Sequence, residues 1–383
     1  MAETQPLPIS GARMTVTYRL QGSERDAWIE ARAIAREQTV EFPEHLIPTE
    51  AIRDQVMGRV EDLSPLGADA WAATLTFADE TTGGELPQLL NVLFGNISLW
   101  PGVRLERLQL SGAMLSRFAG PRFGRSGLRR LLGVENRALL CTALKPMGLS
   151  ARELAHLAYQ FAAGGIDLIK DDHGLANQPF AAWQDRVEAC AAAVQRANEQ
   201  TGGHARYLAS VTAPADQVKE RAHAARRLGA GGLLMIPGLV GWDTMRSLAD
   251  DESLALPIMS HPAWLGSLVA NPGHGIAHGV LFGQLMRLAG ADAVIYPNYG
   301  GRFSFSPEEC RDIVWGTELA MGSLNAAFPT PGGGMTLDRV PEMVAAYGQD
   351  VILLIGGGLF AEGSDLQAAS RRFLELLDRR AAP

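Results

Sequence analysis

Four successive residues, Lys170-Asp171-Asp172-His173, place an ammonium, two carboxylates and an imidazole directly after the apolar run Ile166-Asp167-Leu168-Ile169. These are metal-ligand, general-acid and general-base types. Charge this dense behind apolar residues is costly to desolvate unless a metal or a substrate compensates it. Side chains alternate along a strand, so Lys170 and Asp172 are expected on one face and Asp171 and His173 on the other, as far as the strand runs. A solvated loop after a strand is the plain alternative, and the rest of the chain weighs against it.

Beyond Arg137 the chain alternates apolar strand candidates with helical stretches. The strands are expected at 138–144, 166–170, 206–211, 232–236, 257–260, 292–296, 325–329 and 351–355. Helices are expected at 151–163, 181–199, 216–228, 242–250, 275–289, 307–320, 337–347 and 365–380. Eight such units, with strands apolar on both faces, predict an α/β fold of the (β/α)8 TIM-barrel type. An open doubly wound sheet is the other arrangement, and eight units favour closure.

In these barrels the chemistry sits at the C-terminal ends of the strands. The unusual residues fall there: Lys145-Pro146, then Lys170 to His173, His261, Asn298 to Arg302, and the triplets Gly332-Gly333-Gly334 and Gly356-Gly357-Gly358. Two glycine-rich loops after the last two strands are expected to cradle a phosphate through backbone N–H groups.

Residues 1–125 lack this alternation and predict an N-terminal α+β domain ahead of a barrel catalytic domain at 126–383. Strands are expected at 14–20, 58–63, 71–77 and 103–110, with a turn at Ser64-Pro65-Leu66-Gly67 and helices at 25–41 and 86–97. Asp292 is read as a cap without chemistry, and Tyr299 as a residue that closes over a ligand.

With 47% hydrophobic and 20% charged residues, the composition is that of an ordinary globular protein. A net charge of −8 without a basic run leaves no footprint for nucleic acid. The opening MAETQPLPISGARM lacks a signal pattern, and no apolar stretch reaches membrane-spanning length, so no membrane partner is expected. Cys141, Cys190 and Cys310 are widely spaced and read as reduced, which predicts a cytoplasmic protein.

The segment GGIDLIKDDHGLANQPF resembles the signature of the ribulose-bisphosphate carboxylase (RuBisCO) large subunit, GG-D-x-x-K-D-D-E followed by Q-P-F. Lys145-Pro146, Gly95-Asn96 and both glycine loops match in order. The resemblance implies a homodimer with an active site shared between subunits, to which Asn96, and Glu61 as a further candidate, contribute. It implies a carbamate formed by CO2 on Lys170, and Mg2+ or another divalent metal held there and by Asp172. It implies that Lys145 stabilises and protonates an enediol, that His261 is an active-site histidine, and that Gly333, Gly334, Gly357 and Gly358 cradle a phosphate.

The departures set this chain apart from carboxylases. His173 stands where the family has a glutamate ligand, so it ligates a metal, acts as a base or turns away. Pro262 and Ile295 replace two residues for a second phosphate. Arg302 replaces the lysine that steadies CO2, and would grip a carboxylate or phosphate. The pattern is similar to the RuBisCO-like, form IV branch, which keeps the fold and enolisation without fixing CO2. The expected activity is metal-assisted enolisation of a sugar-derived ketose or keto-acid monophosphate. Isomerisation or tautomerisation and decarboxylation are both open. The alternative is an inactive binding or regulatory protein on the same scaffold.

Overall fold

Alternating inward and outward residues make β1 (Arg13–Gln21) a half-buried strand, with Met14, Val16, Tyr18 and Leu20 fully buried. It is followed by the helix Glu24–Glu37, capped by the Ser23 hydroxyl, which accepts from the Asp26 N–H. Strands β2 (Arg59–Gly67) and β3 (Ala70–Ala78) form a hairpin, and β4 (Arg104–Gln109) pairs with β1 on its other side. The hairpin turn is Ala68-Asp69, not the expected Ser64–Gly67. Pro65 is tolerated within β2 because β2 is an edge strand and its register shifts at Pro65.

Next in the chain come β5 (Leu139–Leu144), β6 (Leu168–Asp171), β7 (Arg206–Ser210), β8 (Gly232–Met235) and β9 (Ile258–Ser260). After the short β10 (Gly275–Ile276) follow β11 (Ala293–Pro297), β12 (Phe328–Gly332) and β13 (Ile352–Ile355). The eight strands other than β1–β4 and β10 close in parallel, in the order β11-β12-β13-β5-β6-β7-β8-β9. This is the (β/α)8 barrel. The other sheet runs β10-β4-β1-β3-β2. Our computed structural model describes residues 7–301, 303 and 305–381. They divide into two compact units: residues up to Phe118 with Leu265–Leu281 and Ala320–Leu324, and the barrel unit made of the rest.

Two elements depart most from expectation. Helix 275–289 is instead β10, a π-helical turn at Gly279–Leu285 and a short helix Met286–Leu288. β12 starts three residues later than expected and runs into the glycine loop. Pro329 and Pro331 lack N–H donors on the side facing β13, and β12 and β13 share only the pair Gly332–Leu354. β6 ends at Asp171, so the alternation stops before His173.

The barrel interior is packed by Leu139, Cys141, Leu168, Leu208, Leu234, Met259, Ile295, Phe328 and Ile352, with Leu128 and Leu132 from the helix Gly124–Leu132. Asp292 fixes that helix. Its Oδ1 accepts from the N–H groups of Phe123 and Gly124 at 2.7 and 2.8 Å, and its Oδ2 from Ile258 at 2.9 Å. No helix among the described residues is long and apolar enough to cross a membrane.

Candidate active site at the ends of the barrel strands

Two-residue alternation carries β6 from Leu168 in the interior to Lys170, also inward, while Ile169 and Asp171 face the surrounding helices. Lys170 is only 2% exposed, and its Nζ donates to the Asp171 carbonyl at 3.1 Å. Burial lowers its pKa below that of an ordinary lysine, against the pull of Cys141, Asp172 and Asp171. A buried amine of this kind spends more time neutral and nucleophilic than an exposed one.

Asp171 anchors the strand end from behind. Its carboxylate accepts from the Tyr207 hydroxyl at 2.8 Å, the Ser210 N–H at 2.9 Å and Arg186 Nε at 3.3 Å. Arg186 is fully buried and also donates to the Ala176 and Ala181 carbonyls at 2.8 and 3.0 Å, which ties the following loop to the strand. Gln178 tightens the same loop, donating to the Gly174 carbonyl and accepting from the Ala176 N–H. Sequence reasoning missed Arg186, since an arginine inside a helix carries no local sign of what it will meet.

Asp172 and His173 begin this braced loop. Lys145 Nζ lies 3.1 Å from Asp172 Oδ1, and His173 Nδ1 lies 3.5 Å from the same oxygen. Burial pushes the Asp172 carboxyl up, but the His173 hydrogen bond and the Lys170 and Lys145 charges prevail and hold it well below the usual carboxylate range. His173 does not turn to the Asp171 side. Its ring stacks on His261, with centroids 4.4 Å apart and planes 12° from parallel. The Ala263 N–H donates to His261 Nδ1 at 3.2 Å, so the neutral ring carries its proton on Nε2. Burial, then the Lys170 and His173 charges, push His261 down to about 2.

The structure thus brings Lys145, Lys170, Asp172, His173 and His261 together. The glycine loops follow β12 and β13, and β13 is the neighbour of β5, which leads to Lys145. Gly333 and Gly334 have positive φ, +100° and +66°. A Cβ at Gly333 or Gly357 would meet nothing within 4 Å, whereas one at Gly358 would fall 2.2 Å from the Met335 carbonyl oxygen. Asn96 lies in the other unit and donates to Glu37 and Glu41 at 3.0 and 3.3 Å, while Glu61 there accepts from Thr76. Arg302 lies outside the described residues.

A parallel eight-stranded barrel with two lysines, an aspartate and two histidines at its strand ends defines the class: a TIM barrel with a charged cluster at the C-terminal mouth. Residues 124–372 match the family described as ribulose bisphosphate carboxylase large chain, catalytic domain. The chain is 40% identical to ribulose bisphosphate carboxylase-like protein 1 of Rhodopseudomonas palustris, over 94% of this chain and 96% of the relative. It is 41% identical to 5-methylthioribulose-1-phosphate isomerase of Rhodospirillum rubrum, over 94% and 95%. It is 35% identical to 2,3-diketo-5-methylthiopentyl-1-phosphate enolase of Geobacillus thermodenitrificans, over 77% and 71%. The crystal structure of a RuBisCO-like protein from Rhodopseudomonas palustris superposes with a TM-score of 0.87 at 38% identity, covering 96% of this chain and 98% of that one. The chain belongs to the RuBisCO large-chain family, in its form IV, RuBisCO-like branch.

Proposed function

We propose that this protein enolises a methylthio-substituted five-carbon ketose 1-phosphate and releases it as an isomer. The observation that carries the reading is the buried Lys170 amine beside the Lys145–Asp172 pair, on a strand end locked by Asp171 and Arg186. A relative 41% identical, over 94% of this chain and 95% of its own length, is named as an isomerase of such a phosphate and supports it.

The metal and carbamate implied by the family fit these residues. Among the described residues no three His, Cys, Asp or Glu side chains gather for a metal. Asp172 supplies one donor, and an amine as buried and depressed as Lys170 is suited to take up CO2 and supply an oxygen as another, which leaves His173 free to act as the base. When bound there, Mg2+ would polarise the substrate carbonyl and acidify the adjacent C–H.

The rest is done by the chain's own side chains. His173 has Nδ1 turned to Asp172, which leaves Nε2 to take the proton from the carbon beside the carbonyl. Lys145 exchanges part of its contact with Asp172 for the oxygen on which charge develops. His261 presents Nε2–H as a neutral donor, because its Nδ1 is already engaged. Return of the proton to the neighbouring carbon moves the carbonyl by one position and needs no co-reactant. Gly333, Gly334, Gly357 and Gly358 hold the phosphate, and Asn96 completes the site of a partner subunit in a cytoplasmic homodimer.

The test is incubation with 5-methylthioribulose 1-phosphate in D2O with Mg2+ and bicarbonate, followed by proton and phosphorus NMR. Deuterium at the carbon beside the carbonyl and a new phosphate ester signal are expected. Binding of the ester without exchange or turnover would leave the inactive-scaffold reading in its place.

A further inference from the structure

Arg339 stands behind the glycine turn that follows β12, at the end of the short turn Leu337–Arg339. Its guanidinium reaches three separate stretches of chain. Nη1 donates to the Gly334 carbonyl at 3.1 Å, Nη2 to the Tyr299 carbonyl at 3.3 Å and Nε to the Glu342 carboxylate at 3.2 Å. The cation also lies over the Tyr299 ring, 5.6 Å from its centroid. Glu342 is held below the ordinary glutamate range, chiefly by its hydrogen bond to Arg339.

Tyr299 is at the root of the loop after β11, and Gly334 is in the turn after β12. These segments nearly touch. A Cβ on Gly334 would lie 3.0 Å from Gly301 Cα, and one on Gly300 would lie 3.2 Å from Arg339 Nη2. Gly300, Gly333 and Gly334 all have positive φ, so both segments are rich in residues with little conformational preference of their own. A planar fork that binds one carbonyl from each holds the two at a fixed distance and angle, which a single ammonium does not do.

We infer that Arg339 is a positioning residue for phosphate binding: by bracing Gly334 against Tyr299 it pre-forms the glycine turn that receives the anion. It rests on the reading above that this turn holds the substrate phosphate. A turn ordered before the ligand arrives spares the ordering cost at binding, so its loss is felt in affinity more than in the chemical step.

The test compares the full-length wild type with Arg339→Met and Arg339→Lys. Inorganic phosphate is titrated calorimetrically, and 5-methylthioribulose 1-phosphate is assayed with unphosphorylated 5-methylthioribulose as competing inhibitor. Arg339→Met is expected to weaken phosphate about tenfold and raise KM by a similar factor, with a smaller change in kcat and an unchanged inhibition constant for the unphosphorylated sugar. Arg339→Lys keeps the charge without the fork and is expected to behave like Arg339→Met. Unchanged phosphate affinity in Arg339→Met overturns the inference. Equal weakening of the unphosphorylated sugar, full recovery by lysine, or no phosphate binding by the wild type overturns it too. Should the wild type not turn over the ester, the isomerase reading falls, while the phosphate titrations still decide the role of Arg339.

Discussion

The imidazoles of His173 and His261 lie face to face, 4.4 Å between centroids, one following β6 and the other β9. Two stacked imidazolium ions would repel, and the Asp172 carboxylate lies 3.5 Å from His173 Nδ1. Burial first, then the Lys170 charge and the facing His173 ring, keep His261 neutral, as a donor rather than an acid.

That neutrality is readable in stability against pH. His261 is depressed to about 2 in the folded protein, whereas an unfolded chain protonates it near the ordinary histidine value of about 6.5. Below that value the unfolded state binds a proton that the folded state refuses, so the stability present near neutrality is lost as pH falls from about 6.5 towards 2. At pH 5 the loss from this group is on the order of 2 kcal/mol. Chemical denaturation of wild type and His261→Gln at pH 7 and pH 5 is expected to show a smaller acid loss in the variant. Equal losses would mean that His261 titrates freely in the folded state.

Lys170 gives the second prediction. Its lowered pKa brings the neutral amine, the form that reacts with CO2, towards neutrality. In 13C-bicarbonate the wild type is expected to show a carbamate signal that Lys170→Met lacks. Turnover should fall by at least about a thousandfold in Lys170→Met, with loss of the metal-holding oxygen and of the electrostatic stabilisation it supports. Thermal unfolding should stay the same or rise, because a buried charge is removed. A fully active Lys170→Met enzyme would remove this lysine from the chemistry.

The barrel and the cluster of charged residues at its mouth were legible because each rests on a local signal. Apolar runs of strand length mark fully buried strands, and Lys170-Asp172-His173 breaks such a run where barrels place their chemistry. What was not legible depends on distant partners. β10 is only Gly275–Ile276, and it is a strand because it pairs with Arg104–Leu105, far away in sequence. Arg186 and Arg339 look like surface residues of helices and turns, and only the folded chain shows the carbonyls they meet. The side taken by His173 was likewise undecided, since alternation ends with the last paired residue, Asp171.

Asp292 gathers three backbone donors, two of them buried, and supplies the third prediction. Asp292→Ala leaves the N–H groups of Phe123, Gly124 and Ile258 without this acceptor. At about 1–3 kcal/mol for each unsatisfied group, the loss is roughly 3–9 kcal/mol, with the part-buried Phe123 N–H at the low end. The midpoint of urea denaturation is expected to fall accordingly, while Asp292→Asn, which keeps one carbonyl oxygen, loses less. Burial raises this carboxyl to about 6 against the pull of those donors. The folded state then retains a proton that the unfolded chain releases near 4, so this group's contribution is full below about 4 and declines as pH rises to about 6. The asparagine variant should lack that decline.

The two adjacent glycines of the last loop separate a steric role from a ligand-binding one. At Gly358 a methyl group would sit 2.2 Å from the Met335 carbonyl oxygen, so Gly358→Ala must push the β12 and β13 loops apart. That contact is backbone, not the tip of a flexible side chain, and the expected cost is roughly 1–3 kcal/mol of overpacking. At Gly357 a methyl group meets nothing within 4 Å and its φ is not in the positive region, so Gly357→Ala is expected to melt within a degree or two of the wild type. The space it fills is the space assigned to phosphate. Gly357→Ala should therefore weaken inorganic phosphate by about tenfold or more, since a clash with a bound ligand forfeits its N–H contacts. Gly358→Ala should lose stability and phosphate affinity together. Paired melting and calorimetric titrations of the two variants check this, and a Gly357→Ala protein that binds phosphate like the wild type would place the anion elsewhere in the barrel mouth.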